Sequence, residues 1–276
     1  MKDLCILETS PSGPIENHKK LFNNYDWFYV SHDSELSNDE RCISFNRGFM
    51  FSQNRNCLYN YVKTLEIKYK YYMFIDYDVE IKSINTNIDP INQLINDLNE
   101  YNPAVMILYD KSKPDYSFIK PNCISNLMFS NNQIKIYHHS IIDYIFEGPS
   151  HICGIWDTCH HNNVLEIPFY KYVLCNSKII CSGLISNPKS QPSYYTNKDV
   201  IKEMHNYMYP YFSNELQKFK ISNDMKHFFL NLSKHISPIK MPHNIDYLKF
   251  INVFQYFDPN YPHFNNLRKY SPDLFI

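Results

Sequence analysis

Small residues are almost missing from this chain of 276 residues, which has five glycines and a single alanine, Ala104. Residues with AT-rich codons are abundant instead, among them 24 tyrosines and 19 phenylalanines. This skew indicates an AT-rich genome, such as that of an amoebal giant virus or a protist. The tyrosine and asparagine content therefore does not by itself indicate a binding surface.

The chain also lacks a charge excess and long apolar runs. Its 27 Lys and Arg against 28 Asp and Glu give a formal charge of −1, so no overall field favours nucleic acid or an anionic membrane. No segment approaches the roughly 20 apolar residues that cross a bilayer. We expect no membrane span and no nucleic-acid partner.

We also expect no secretory signal, because the apolar stretch in residues 1–8 is short and interrupted by charge. The eight cysteines are dispersed along the chain. Reduced thiols are the default in such a chain. We expect a cytoplasmic protein, in the host cytoplasm if the source is viral.

What the chain does contain is an alternation of strand and helix patterns. Apolar runs at 4–7, 27–30, 69–76 and 104–109 predict buried strands, and apolar residues recur at helical spacing over 52–68. Asp89-Pro90 begins a further helix and Asn102-Pro103 ends it. This order predicts an α/β fold with a mixed, mainly parallel sheet flanked by helices.

The second half of the chain is less regular. Short strands at 127–129 and 134–137 flank the possible hairpin turn Asn131-Asn132, and a short helix is expected over 140–146. Beyond residue 197 the pattern becomes helical. We expect one catalytic domain at 1–196, with a nucleotide-binding half to about 110 and an acceptor half to 196, and a helical extension at 197–276 packed on the same domain.

The strongest chemical signal is the pair Asp76 and Asp78, which follows the buried run Tyr69–Ile75. Side chains at i and i+2 of a strand point to the same side. Ligand crevices of open α/β sheets lie outside the carboxyl ends of the strands. Two carboxylates at such a place are costly unless a cation or substrate compensates their charge, so we expect a hard metal ion between them.

A strand ending in Asp-x-Asp resembles the nucleotide-sugar site of GT-A-fold glycosyltransferases, and Phe45-Asn46-Arg47 upstream is similar to the element preceding Asp-x-Asp in the β-1,4-galactosyltransferase family. The resemblance covers residues 3–110 in topology but only a few residues in motif. It implies a Rossmann-like GT-A fold, Mn²⁺ or Mg²⁺, and transfer of a sugar from a UDP-linked or related donor to a glycan or glycoprotein acceptor.

The resemblance also implies roles for individual residues on the donor side. Asp78 would bind the metal, with Asp76 on the ribose or a metal-bound water. The phosphates would be contacted by Asn46, Arg47 and Arg55, the base by Asp33, and the nucleoside by the loop with Thr9 and Ser10.

The acceptor side rests on less specific residues. Asp157, with Glu147 as the weaker candidate, would be the base that takes the acceptor proton, and Trp156 would stack on a sugar. His205 is the positional candidate for a third metal ligand. Packing and capping roles explain Trp156 and Asp157 equally well.

Three alternatives remain open. Cys153, Cys159, His160 and His161 could form a zinc site, although their spacing is unusual. A haloacid-dehalogenase-type phosphatase also carries Asp-x-Asp after an apolar strand, but usually at the first strand and without a residue like Glu80. A non-catalytic nucleotide-sugar-binding protein with the same fold is the third.

Overall fold

The computed structural model describes residues 1–31, 38–45, 51–110, 121–126, 134–146 and 173–183. Within these ranges the chain forms nine strands of one mixed sheet and four helices, which confirms the expected α/β class. The elements in chain order are β1 (Lys2–Thr9), α1 (Glu16–Phe22), β2 (Asp26–Ser31), β3 (Cys42–Phe45), α2 (Phe51–Thr64), β4 (Tyr69–Asp76), β5 (Val79–Ser83), α3 (Pro90–Tyr101), β6 (Val105–Asp110), β7 (Ile124–Asn126), β8 (Ile134–His138), α4 (His139–Phe146) and β9 (Val173–Gly183).

The order of the strands in the sheet is β3-β2-β1-β4-β8-β6-β9-β5, with β7 pairing β9 beside this path. The first four strands of that order are mutually parallel. Strand β8 runs antiparallel to both β4 and β6, so β6 points the same way as β4. The parallel half therefore contains the expected strand–helix–strand units, and the antiparallel pairings belong to the later strands.

Helices cover the two faces of the sheet. Phe22 of α1 and Leu94 of α3 pack with Ile6 and Met73 in the main core cluster. On the opposite face, the Phe74 ring stacks on Phe146 of α4 at a centroid distance of 4.9 Å. Strand alternation accounts for this division, because successive residues of β4 point to opposite faces.

Helix α3 shows how local sequence determines its ends. The Asp89 carboxylate accepts hydrogen bonds from the backbone N–H groups of Ile91 (3.0 Å) and Asn92 (2.8 Å), and Pro90 occupies the first turn. Asn102 adopts the left-handed conformation, with φ 42°, and its N–H bonds to the Leu98 carbonyl. Both ends agree with the sequence prediction.

Other boundaries differ from expectation. Helix α2 ends at Thr64 rather than Lys68, because the carbonyl of Lys68 already accepts the N–H of Lys2 as the sheet begins. Strands β3, β5, β7 and β9 were not anticipated, and β7 pairs with β9. The expected strand at 127–129, the Asn131-Asn132 turn and the helical extension at 197–276 lie outside the described residues.

Strand β9 contains a local insertion. Asn176 pairs with Leu108 of β6, and the next paired residues are Ile180 and Tyr109, so the three residues 177–179 have no counterpart in β6. Buried Asp97 of α3 holds this stretch, because its carboxylate accepts from the Asn176 amide at 2.8 Å and from the Lys178 ammonium at 2.6 Å. The remainder of β9 then pairs with β5.

Candidate functional site at the carboxyl edge of the sheet

The chain changes its direction of winding between β1 and β4. It proceeds from β1 to β2 and β3 on one side and then crosses back to β4 on the other side of β1. In open α/β sheets, ligands bind at such a switch point, in the crevice outside the carboxyl ends of the strands. Residues at the ends of β1 and β4 are therefore the first candidates for a binding site.

Thr9 and Asp76 stand side by side at this point. They are register partners in the parallel β1–β4 ladder, each at the last position of its strand. The N–H of Tyr77 then donates to the carbonyl of Thr9 at 3.0 Å. The sequence prediction that placed both residues at one sheet edge agrees with this arrangement.

The surroundings of Asp76 disfavour the ionised form of its carboxyl group. Burial raises the pKa of this carboxyl to about 7, and the negative charges of Asp78 and Glu8 act in the same direction. The Arg55 guanidinium opposes the rise without cancelling it. Asp76 is thus a carboxylate whose negative charge is incompletely compensated by the residues around it.

Among the described residues, Arg55 forms an ion pair with Asp76. Its Nη2 atom lies 3.3 Å from the Asp76 Oδ1 atom, and its side chain is 2% exposed against 19% for Asp76. The guanidinium carbon also lies 5.8 Å from the centre of the Phe74 ring. Helix α2 therefore brings Arg55 to the acidic pair, as the sequence suggested, while its contact with a phosphate stays a prediction.

Asp78 lies in the two-residue turn between β4 and β5, where the alternation of a strand no longer applies. We expected strand alternation to place the Asp78 side chain on the same side as that of Asp76. That argument is wrong, because Asp78 does not belong to the strand. The two carboxyls have different neighbours: Asp76 contacts Arg55, whereas His18 lies close enough to Asp78 to act on it electrostatically. Burial raises the pKa of Asp78, and its own backbone N–H and His18 lower it.

Ser10 follows β1 at the same edge and is completely buried. Its N–H donates to the Val30 carbonyl at 3.0 Å, and its carbonyl accepts from Gly13, whose φ of 85° closes the turn. Within the described part of the chain, the Ser10 hydroxyl has no hydrogen-bond partner. A buried hydroxyl without a partner needs a physical explanation, such as an ordered water or a bound group.

A buried polar group that the sequence did not reveal lies beneath the turn. Glu8 and His18 are both 0% exposed, and the Glu8 carboxylate accepts the indole N–H of Trp27 at 3.0 Å. The Oε1 atom of Glu8 lies 3.1 Å from Nδ1 of His18, at an angle that does not qualify as a hydrogen bond. The available signal was an acidic residue in the last positions of a buried strand.

Asp110 is a second residue that the sequence did not single out. It ends β6, which runs parallel to β4, so it lies at the same edge of the sheet, and it is buried. Strand β8 separates β6 from β4. Two strand spacings of about 4.8 Å place Asp110 about 10 Å along the edge from Asp76.

The remaining predicted site residues lie outside the described residues. They are Asp33, Asn46, Arg47, Glu147, Trp156, Asp157 and His205, together with Cys153, Cys159, His160 and His161 of the zinc alternative. Of the predicted donor side, the structure thus brings together Thr9, Ser10, Arg55, Asp76 and Asp78.

The described residues contain neither a metal-binding cluster nor a membrane-spanning helix. No group of three or more His, Cys, Asp or Glu side chains in these residues could hold a metal ion. In the same part of the chain, no helix is long and apolar enough to cross a membrane. Asp76 and Asp78 could therefore supply two ligands of a cation, and further ligands would come from elsewhere.

Comparison with known proteins gives no family for this chain. No protein-family model matches it, and no curated protein matches it in sequence. Among solved structures it is similar to the crystal structure of A197 from STIV, with 14% identity and a TM-score of 0.38 over 67% of this chain and 87% of that chain. A similarity at that TM-score supports no conclusion about fold or function.

Proposed function

We propose that this chain is a metal-dependent glycosyltransferase of the GT-A type, which binds a nucleoside-diphosphate sugar and transfers the sugar to a hydroxyl of a glycan or glycoprotein. The observation that carries the proposal is the position of Asp76 and Asp78 at the β1–β4 switch point, beside Thr9. That is where an α/β sheet binds a nucleotide ligand. A UDP-linked sugar is the first donor to test.

The acidic pair suits a hard cation such as Mn²⁺ or Mg²⁺. Carboxylate oxygens are the ligands that these ions favour. The pKa of Asp76 is raised to about 7 although Arg55 is adjacent, so a second positive charge would stabilise the ionised pair. When bound, the cation supplies a Lewis acid for the charge that develops on the departing diphosphate.

The chain's own residues would do the rest of the donor binding. Thr9 and Ser10 would contact the nucleoside. Arg55 would orient Asp76 and favour its ionised form, and its positive charge would lie close to a diphosphate bound at Asp78. The resemblance adds Asp33 for the base, Asn46 and Arg47 for the phosphates and His205 as a third ligand.

The transfer step needs groups in the second half of the chain. Asp157 would accept the proton of the acceptor hydroxyl, with Glu147 as the alternative base. Trp156 would stack on the apolar face of a sugar ring. These assignments follow from the sequence alone.

Calorimetric titration of the purified protein with UDP, GDP and CDP, with and without Mn²⁺, tests the proposal. We expect one nucleotide to bind only when Mn²⁺ is present. Asp78→Ala should weaken that binding at least about tenfold, because it removes a ligand of the cation. Asp143→Asn is the matched control: it removes an exposed carboxylate that pairs with Lys63 on the surface, and affinity should stay within about twofold.

The titration, together with activity assays, separates the alternatives. Nucleotide binding that is independent of Mn²⁺ and unchanged in Asp78→Ala would contradict the proposal. Metal-dependent binding without hydrolysis or transfer to any acceptor would favour the non-catalytic protein. Turnover of a chromogenic phosphate ester with Mg²⁺, abolished in Asp76→Asn, would favour the phosphatase.

A further inference from the structure

His18 connects helix α1 to the backbone directly after the acidic pair. Its Nε2 atom lies 2.6 Å from the carbonyl oxygen of Val79, the first residue of β5. A carbonyl oxygen can only accept a hydrogen bond, so Nε2 carries the proton and donates it. Both residues are completely buried, and a short bond in such a place is rigid because its loss would leave a buried carbonyl unsatisfied.

The other ring nitrogen of His18 faces Glu8. Nδ1 lies 3.1 Å from the Glu8 Oε1 atom, at an angle that does not form a hydrogen bond, and the second oxygen of this carboxylate accepts from the Trp27 indole N–H. The ring is therefore hydrogen-bonded to the start of β5 and lies beside Glu8 of β1.

The Asp76–Asp78 turn is consequently attached at two backbone points. On the β4 side, the N–H of Tyr77 donates to Thr9, and on the β5 side the carbonyl of Val79 accepts from His18. Asp78 lies between these attachments, and His18 is close enough to act on its carboxylate electrostatically. Release of either attachment would let Asp78 move relative to Asp76.

We propose that His18 is a positioning residue, which sets the place of the Asp78 carboxylate through its bond to the Val79 carbonyl and thereby sets the affinity for a divalent cation with a nucleoside diphosphate. This inference rests on the proposed function. The Glu8 side chain lies beside the imidazole, 3.1 Å from Nδ1, and both residues are completely buried.

Two substitutions of His18 each remove one of its two contacts and keep the other. The amide of glutamine reaches as far as Nε2, so His18→Gln keeps a donor for Val79 and loses the contact with Glu8. The amide of asparagine reaches only as far as Nδ1, so His18→Asn keeps the contact with Glu8 and loses the bond to Val79. His18→Asn removes one buried methylene more than His18→Gln, and each variant serves as the control for the contact that the other one removes.

Amide hydrogen exchange over residues 76–80, without any ligand, tests the contact itself. We expect exchange in His18→Asn to be about tenfold faster than in the wild type, because one buried hydrogen bond is lost, and exchange in His18→Gln to stay within about threefold. Equal exchange in His18→Asn and the wild type would overturn the inference, as would equally fast exchange in both variants.

Calorimetry with Mn²⁺ and UDP tests the consequence. His18→Asn should bind at least about tenfold more weakly than His18→Gln. Unchanged affinity in His18→Asn despite faster exchange would show that the bond is structural only. If the wild-type protein does not bind Mn²⁺ with UDP, the proposed function fails, and the exchange measurement still decides whether His18 holds the turn.

A measurement on the wild-type protein covers the case in which His18→Asn does not fold. Nitrogen-15 shifts of the His18 ring should show a protonated Nε2 whose hydrogen is protected from exchange with solvent. An unprotonated Nε2 would contradict the bond to Val79.

Discussion

The guanidinium of Arg55 and the carboxylate of Asp76 lie 3.3 Å apart, with the arginine almost wholly buried and the aspartate partly open to solvent. Arg55 comes from α2 on one face of the sheet, and Asp76 is the last residue of β4. The pair therefore fixes a helix to the strand end that carries the acidic turn. Its loss should affect both the stability of the fold and the charge of the site.

Arg55→Met should destabilise the protein by about 2 kcal/mol at pH 7, because it removes the buried guanidinium that pairs with the partly exposed Asp76 carboxyl. Urea unfolding measures this change. Lys63→Met is the matched control, since it breaks the exposed ion pair with Asp143, whose side chains are 50% and 58% exposed. The control should cost less than about 1 kcal/mol, and an equal loss in both variants would contradict the prediction.

Asp76 should make the folded state less stable as the pH rises from about 4 to about 7. Its pKa is about 7 when folded, above the ordinary value of 3.8, so the folded state binds the extra proton in this interval. For one proton the slope is at most about 1.4 kcal/mol per pH unit. We take the unfolding free energy of the wild type minus that of Asp76→Asn, measured from pH 4 to pH 8. This difference should decrease as the pH rises and become constant above about pH 8. A difference that does not depend on pH would contradict the raised pKa.

His138 should act in the opposite direction. Burial, together with the charges of His139 and Lys70, lowers its pKa from 6.5 to about 3. Its contribution to stability is complete above pH 6.5 and is lost as the pH falls towards 3, by at most about 1.4 kcal/mol per pH unit. Its Nδ1 atom accepts the N–H of Ser140 at the start of α4, which requires the neutral ring at that nitrogen.

His138→Asn tests this assignment, because the asparagine oxygen can accept the Ser140 N–H and does not titrate. Thermal unfolding of wild type and variant at pH 7 and pH 5 gives the comparison. The wild type should lose more stability on acidification than the variant does. Equal losses would show that His138 does not titrate with folding.

Asp89→Ala should destabilise the protein by about 1 kcal/mol, because it removes the acceptor for two N–H groups at the start of α3. Asp89→Asn keeps an acceptor oxygen and should cost only a few tenths of a kcal/mol. Chemical unfolding of the two variants provides the test. A loss in Asp89→Asn as large as in Asp89→Ala would assign the effect to charge rather than to capping.

The features that the sequence predicted are those determined by neighbouring residues. The ends of α3 follow from Asp89-Pro90 and Asn102-Pro103, and the buried strand before Asp76 follows from its unbroken apolar run. Strand β9 was missed because Asn176, Ser177 and Lys178 interrupt its apolar pattern, and that interruption is explained only by buried Asp97, 79 residues earlier in the chain. Strand β5 was missed for a similar reason, because the strand that it pairs with, β9, lies far from it in the sequence.

The residues of the candidate site that the sequence predicted are likewise those marked by a local pattern. Asp76, Asp78 and Thr9 are marked by their place at strand ends, and Arg55 by its place near the start of a helix. The turn made the alternation argument for Asp78 wrong, because β4 ends at Asp76, two residues before Asp78. The contact of His18 with Val79 joins residues 61 positions apart, and no local pattern marks it.

The order of the strands has a geometric consequence for the acidic corner. Four strand intervals separate β4 from β5 in the sheet, which in a flat sheet amounts to about 19 Å. Only Tyr77 and Asp78 connect the two strands, and three residue steps span at most about 11 Å. The sheet must therefore curl until its β5 edge returns towards β4, and the insertion at 177–179 is where β9 bends. The curvature of a strand about a hundred residues downstream thus determines how closely the corner around Asp78 is enclosed.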